Sequence, residues 1–279
     1  MIRLLIDSAS DYLLSEAQEK NIDFVSLNVH FEDKSYRDGV DIEFDEFYEM
    51  LATSESFPKT SQPSPETFLE KFQVAKDNGD ELICILLSSG ISGTCQSAHL
   101  AKNMVEYDNI HIIDSLTATN AVRLIIDYAY DLIQQGLSVN EIVEKVESFK
   151  TRINILISPD TLDYLCKGGR VSKTAAAIGN LANLKPIITV TPEGTVDVIK
   201  KCVGLNKTVR TIIDGIKAAK PDENYALYPV YAYKTDNIEK LEAALTKEGI
   251  KFQDRKEIGS TIGAHIGPGA FGVIYVKSE

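Results

Sequence analysis

The stretch ELICILLSSGISGTCQSAHLAKNMVE, residues 81–106, decides the fold. It opens with the apolar run ELICILL (81–87), passes through a loop containing Gly90 and Gly93, and continues from Thr94 to about residue 106 with apolar residues at helical spacing. The same alternation extends in both directions. Upstream lie RLLI (3–6), a helix over 12–20, the apolar run IDFVSLNVHF (22–31) and helices near 43–52 and 65–78. Downstream lie IHIID (110–114) and helices over 117–135 and 138–150. Strand–helix alternation of this kind implies a parallel sheet covered by helices on both faces.

The pattern changes after INILI (153–157), because KPIITVTPEGTVDVIKKC (185–202) is two β-rich runs joined by Pro192-Glu193-Gly194, a hairpin signal. Helices over 206–219 and 236–248 then alternate with YALYPVYAY (225–233) and GVIYVK (272–277). The expected fold is therefore α/β in two domains. Residues 1–155 form a three-layer α/β/α domain with a mainly parallel sheet, and residues 156–279 form a smaller α/β domain with a mixed or antiparallel sheet. A cleft between them is the default ligand site.

Composition bounds the function. A chain of 279 residues with 44% hydrophobic content can bury a sizeable core and suits two modest domains. The opening MIRLLIDSASD has too short an apolar run for a signal peptide, and no later run approaches ~18 apolar residues, so a cytoplasmic protein without an integral membrane segment is expected. Cys84, Cys95, Cys166 and Cys202 are scattered and form no CxxC, which suggests buried free thiols rather than a zinc ribbon or redox pair. The net charge of −12 repels nucleic acid and anionic membrane, which leaves small ligands and protein partners first.

Several loops carry residues that could bind. Asp7, Ser8, Ser10 and Asp11 in IDSASD follow the first strand, and Asp114 and Ser115 follow another, where ligands of open α/β sheets are found. Asp and Ser are also favoured helix caps, and no His or Glu stands at ligand spacing, so capping is preferred over a metal. In FPKTSQPSPETF (57–68), Ser64 and Pro65 make an N-cap and first helical position, leaving Thr60 and Ser61 in a proline-stiffened segment.

The 90–94 loop lacks the lysine of a Walker phosphate cradle after Gly93. It also lacks a glycine two residues after Ser92, as a nucleophile elbow requires. A plain capped turn and an anion pocket at a helix N-terminus, with the hydroxyls of Ser92 and Thr94, both remain. Farther on, LDYLCKGGRVSKTAAAIGNLANLKP (162–186) concentrates Arg170 and Lys173, which Lys200, Lys201, Lys207 and Arg210 extend into a basic patch for an acidic partner or phosphate, the alternative being a solvated face. His265 stands in STIGAHIGPGAFG (260–272), a glycine-rich stretch read as a loop in which backbone and imidazole approach a ligand.

Taken in order, DSASD, KTSQPSP, SSGISGTCQSA, IDS, YLCKGGRVSK, KP and GAHIGPGAFG resemble the motifs of the DegV family, from Ile6 to Gly272. That resemblance implies a two-domain DegV-like protein similar to the fatty-acid-binding subunit of bacterial fatty acid kinase. It implies a single long-chain fatty acid in a tunnel, no catalytic residue, metal or cofactor of its own, and a separate ATP-dependent kinase that makes the acyl phosphate. Transient membrane contact is compatible with that role. By the same resemblance Thr60, Ser61, Ser92, Gly93 and Thr94 bind the carboxylate, His265 stands nearby, and Arg170, Lys173 and Lys201 belong to the kinase-docking surface. Cys95 departs from the family, where an aromatic is common, as do PVYAY (229–233) and Lys200-Lys201, where kinase-binding members carry arginine. Two other functions are kept in view: a serine hydrolase using Ser92 and His265, and a binding protein for a small phosphorylated metabolite.

Overall fold

A computed structural model describes residues 1–54, 56–171 and 184–278. The strands β1 (Ile2–Asp7), β2 (Asp23–Val25), β6 (Glu81–Leu86) and β7 (Ile110–Asp114) form a sheet that is parallel throughout, in the order β2–β1–β6–β7. Successive side chains of a strand point to opposite faces, and both faces are apolar here. Leu4, Ile6, Ile83, Ile85 and Ile113 share a core with α5 (Asn120–Gln134) and α6 (Val139–Lys150). Leu5, Leu82, Cys84, Leu86 and Ile110 pack with α3 (Pro65–Asn78) and α4 (Thr94–Val105). Two covered faces explain the near-continuous apolar runs and give the expected α/β/α layering.

The second sheet is mixed. It is built from β8 (Ile153–Ser158), β9 (Leu184–Val190), β10 (Val196–Val203), β11 (Tyr228–Tyr231), β12 (Lys256–Glu257) and β13 (Phe271–Val276), in the order β10–β9–β8–β13–β11–β12. All its pairs are antiparallel except β11 with β12. Residue 155, where the sequence reading divides the chain, falls inside β8. One face, with Leu156, Phe271, Val273 and Tyr275, is covered by α8 (Leu205–Ala219) and α9 (Asp236–Lys247). The other face, with Ile155, Ile157, Ile274 and Val276, joins the core of the first half.

Helix α5 thus lies between the sheets, touching β1 and β6 on one side and β8 and β13 on the other. The β9–β10 turn also crosses to the first half, where Ser88 Oγ donates to the Gly194 carbonyl at 2.7 Å. A side chain at Gly90 would stand only 2.6 Å from that carbonyl, so this approach requires a glycine.

Two elements differ from the sequence reading. IDFVSLNVHF is not one strand but β2 followed by β3 (Asn28–Phe31), which pairs with β4 (Lys34–Arg37) and β5 (Lys59–Ser61) in a separate antiparallel sheet. The stretch around His265 is not a loop, since it contains the helix α10 (Ser260–Ile266). Its interior Gly263 is accommodated because the Tyr48 hydroxyl lies 2.6 Å from where a Cβ would stand. The remaining helices are α1 (Leu14–Glu19), α2 (Phe44–Thr53) and α7 (Asp163–Lys167). Among the described residues no helix is long and apolar enough to cross a membrane.

Because α5 serves both sheets, truncating it destabilises the molecule as a whole. Ile125 is fully buried there, and Ile125→Ala is expected to cost about 2–5 kcal/mol in urea unfolding. Probes in either half should report the same single transition; two separated transitions would refute a shared core.

Candidate functional site

The site is built where the parallel strands end. At the end of β1, Asp7 accepts hydrogen bonds from the Ala9 N–H at 3.0 Å and the Leu87 N–H at 2.6 Å. The first bond is the expected cap. The second ties β1 to the loop after β6, and so positions residues 88–93. Asp11 and Asp38 are buried close by. Burial raises the Asp7 pKa to about 7 against those N–H bonds. It raises that of Asp11 to about 8, against bonds from Thr119 and Gly259, and that of Asp38 in the same direction. No group of side chains among the described residues is arranged to hold a metal ion.

In the loop before α4, Ser92 Oγ lies 2.9 Å from Thr94 Oγ1, with Ser92 half-buried and Thr94 buried. The first turn of α4 has backbone N–H groups without intrahelical acceptors, and its dipole favours an anion. Gln62 covers this turn: its amide donates to Ser97 Oγ at 3.0 Å, and its Oε1 lies 2.0 Å from where a Cβ on Gly93 would stand. Thr60 Oγ1 is 2.7 Å from His265 Nε2. Ser61 departs from the expectation, because neighbouring residues of a strand face opposite ways. Its exposed hydroxyl instead meets His30 Nε2 at 2.8 Å, so its side chain is not gathered with Thr60.

A narrow apolar pocket lies between the second sheet, α10 and the first half. Ile155, Ile157, Ile188 and Ile262 are among its walls, Arg170 and His265 belong to its lining, and the empty space there is about 510 Å³ with open solvent at the mouth included. Ser92 and Thr60 are not in that lining; Ser92 follows Ile91 in the chain, and Thr60 bonds His265. Arg170, expected on a docking surface, is half-buried and bonds the carbonyls of Ile91 at 3.2 Å and Gly168 at 2.5 Å. No carboxylate among the described residues pairs with it, and burial lowers its pKa. His265 is depressed to about 4 by burial and then by the Arg170 charge, so its imidazole is neutral at pH 7. Its Nδ1, packed against Gly168, is buried without a hydrogen-bond partner.

Lys201 is exposed on β10, an outer strand of the second sheet, and Lys173 lies outside the described residues. The Ser92–His265 pair of a serine hydrolase is not formed. Ser92 is engaged with Thr94, His265 with Thr60, and no carboxylate orients Nδ1. Residues missing from the sequence reading include Gln62 and the pocket wall of Ile91, Thr119 and Ile262. Gln62 stood within the TSQPS motif, and an apolar wall has no sequence signal that separates it from core.

The fold is thus a two-sheet α/β protein with an apolar pocket whose lining includes a guanidinium that no described carboxylate pairs. The chain belongs to the DegV family, whose model, described as an uncharacterised protein family, matches residues 1–278. It is 37% identical over 276 residues to a DegV domain-containing protein of Caldanaerobacter subterraneus subsp. tengcongensis, covering 98% of each chain. A DegV domain-containing protein of Clostridium acetobutylicum is 33% identical over 279 residues, covering 99% of this chain and 98% of that one. Among solved structures, a DegV family protein of Thermus thermophilus described by its fatty-acid binding superposes with a TM-score of 0.88 at 27% identity, covering 99% of both chains. DegV of Bacillus subtilis, a fatty acid binding protein, does so with a TM-score of 0.83 at 28% identity and the same coverage.

The buried titrations make a signed prediction. Asp7 and Asp11 keep protons in the folded protein that the unfolded chain releases above about pH 4, so stability falls as pH rises through about 7 and 8. His265 acts oppositely between about pH 4 and 6.5, where only the unfolded imidazole is protonated. Above pH 6.5 the aspartates outweigh the remaining opposite contribution of His265, and urea unfolding should show stability dropping by roughly 2 kcal/mol between pH 6.5 and 8.5. A flat or rising profile there would contradict the assignment.

Proposed function

We propose that the protein binds one long-chain fatty acid in the apolar pocket, with its carboxylate toward Arg170 and His265, and presents that carboxylate to a separate ATP-dependent kinase. The observation that carries the reading is the half-buried Arg170, whose guanidinium no described carboxylate pairs, in the lining of a mainly apolar pocket. The fatty-acid-binding DegV relatives support the same reading. Burying about sixteen carbons at ~0.8 kcal/mol per methylene gives on the order of 10 kcal/mol before ordering and association costs. A buried carboxylate would lose several kcal/mol of hydration unless donors replaced the water.

Here the donors are at hand. Arg170 supplies the counter-charge, and the Ser92 and Thr94 hydroxyls and the first turn of α4 supply hydrogen bonds. With the Thr60 hydroxyl donating to Nε2, neutral His265 keeps a proton on Nδ1 as one more donor. The carboxylate then stays ionised, as attack on a γ-phosphate requires. The protein is a carrier in this reading, without a catalytic residue, metal or cofactor of its own, and Lys200 and Lys201 on β10 belong to the surface that meets the kinase. A small phosphorylated metabolite would leave the apolar walls unused.

Solvent extraction of the denatured protein followed by mass spectrometry should find about one equivalent of a long-chain fatty acid. After delipidation, calorimetric titration with palmitate should show Ser92→Ala and Thr60→Ala weakening binding about tenfold, and Arg170→Met at least as much, since hydrogen bonds to charged groups are worth about 1.5–3 kcal/mol. Absence of both copurified lipid and palmitate binding would sink the proposal, and wild-type affinity in all three variants would remove the carboxylate from these residues.

A further inference from the structure

We infer that Asp11 is a positioning residue, a single buried carboxylate that ties together the two walls of the apolar pocket and thereby sets His265 against Thr60. The inference rests on the fatty-acid reading only for what the pocket holds. On the first wall, Asp11 Oδ2 accepts from the Thr119 hydroxyl and from Asn120 Nδ2 at 2.9 Å, at the start of α5. On the second, Asp11 Oδ1 accepts from the Gly259 N–H at 3.0 Å, at the start of α10. Ala118 and Thr119 line the pocket from one side, and Ile262, His265 and Ile266 from the other. One carboxylate therefore bonds to both.

The surrounding geometry depends on that bond. Thr119 has φ +56° and ψ −151°, a region that suits glycine and strains a β-branched residue, so its conformation needs an external tether. A Cβ on Gly259 would lie 2.8 Å from Asp11 Oδ1, so glycine permits the close approach. Asn120 repeats the link, because its amide also donates to the Glu257 carbonyl at 2.9 Å. A helix of seven residues cannot hold its own position, and α10 is fixed at its start by Asp11 and by Asp38, which accepts from the Thr261 N–H at 3.3 Å and hydroxyl at 2.6 Å. His265 occupies the last turn of that anchored helix.

Asp11→Asn keeps the size but replaces one acceptor oxygen with an N–H₂ group, which cannot accept from Asn120 while Oδ1 serves Gly259. In the full-length, delipidated variant, the imidazole ¹⁵N resonances of His265 should move from their wild-type positions, and the palmitate Kd should rise at least tenfold. Thr119→Val, which keeps the shape and removes only the hydroxyl, should raise Kd at least fivefold. Ile216→Val, which truncates a buried side chain of α8 in the core of the second sheet, lowers stability and should alter neither readout. Wild-type His265 resonances in folded Asp11→Asn, with Kd within twofold of wild type in both Asp11→Asn and Thr119→Val, would overturn the assignment. Should Asp11→Asn not fold, the Kd of Thr119→Val decides. If the wild-type protein binds no palmitate, the fatty-acid reading fails, and the His265 resonances alone decide the positioning role.

Discussion

The carboxylates buried at the end of β1 are the constraint on which the site depends. Burying a polar group is costly unless its hydrogen bonds are made, and the donors that satisfy Asp7 and Asp11 come from distant segments. Asp7 holds Leu87, and Asp11 holds Asn120 and Gly259. Asp38, after the small antiparallel sheet, does the same for Thr261. Each bond fixes the start of a loop or helix that contributes to the pocket. The acidic turn therefore works as an internal hub, placed where the carboxyl ends of parallel strands open a crevice.

That hub also has an electrostatic consequence. An ionised cluster of aspartates in the core would repel an anionic head group, and the chain already carries a net charge of −12. Burial instead pushes Asp7 to about 7 and Asp11 to about 8, so much of the cluster's charge is suppressed near neutral pH. Arg170, which no described carboxylate neutralises, is then the one charged side chain among the described residues that line the pocket. An acidic protein can in this way keep a local positive charge beside an apolar pocket.

The parallel sheet and its helices were legible because local signals agreed with the final packing. Ser64 caps α3, Pro65 opens it and Gly79 closes it with φ +68°, all of which can be read from the chain. The small antiparallel sheet was not. Its turn at Glu32-Asp33 has no glycine or asparagine, although Glu32 adopts φ +53°, and the strand KSYR carries no apolar run. Helix α10 was hidden by Gly263, a residue that weakens a helix in isolation but here makes room for Tyr48. Two pairs of residues that the motifs singled out meet in space, Thr60 with His265 and Ser92 with Thr94, whereas Ser61 follows the alternation of a strand that was itself not recognised. The bonds of Asp11 were beyond reach for a deeper reason. A cap and a hub use the same side chain, and only the partner, 248 residues away at Gly259, distinguishes them.

Most polar residues singled out in the loops turn out to have complete structural employment, so they say little about a ligand by themselves. Asp7 and Ser64 cap, Ser88 holds a hairpin, Ser61 meets His30, and Asp114 bonds the N–H groups of Ser89 and Leu116. What remains is informative because native structures leave few buried polar groups unpaired. Of the five buried side-chain atoms without a partner among the described residues, one is Nδ1 of His265, a residue of the pocket lining. Arg170 beside it bonds only carbonyls among the described residues, and no carboxylate among them pairs with it. A cation and an unpartnered imidazole nitrogen on residues of one mainly apolar pocket are what the proposed fatty-acid ligand would call on. Departures from local consistency fall on three residues of the lining, Thr119, Arg170 and His265, and such departures are where a binding function is expected to lie.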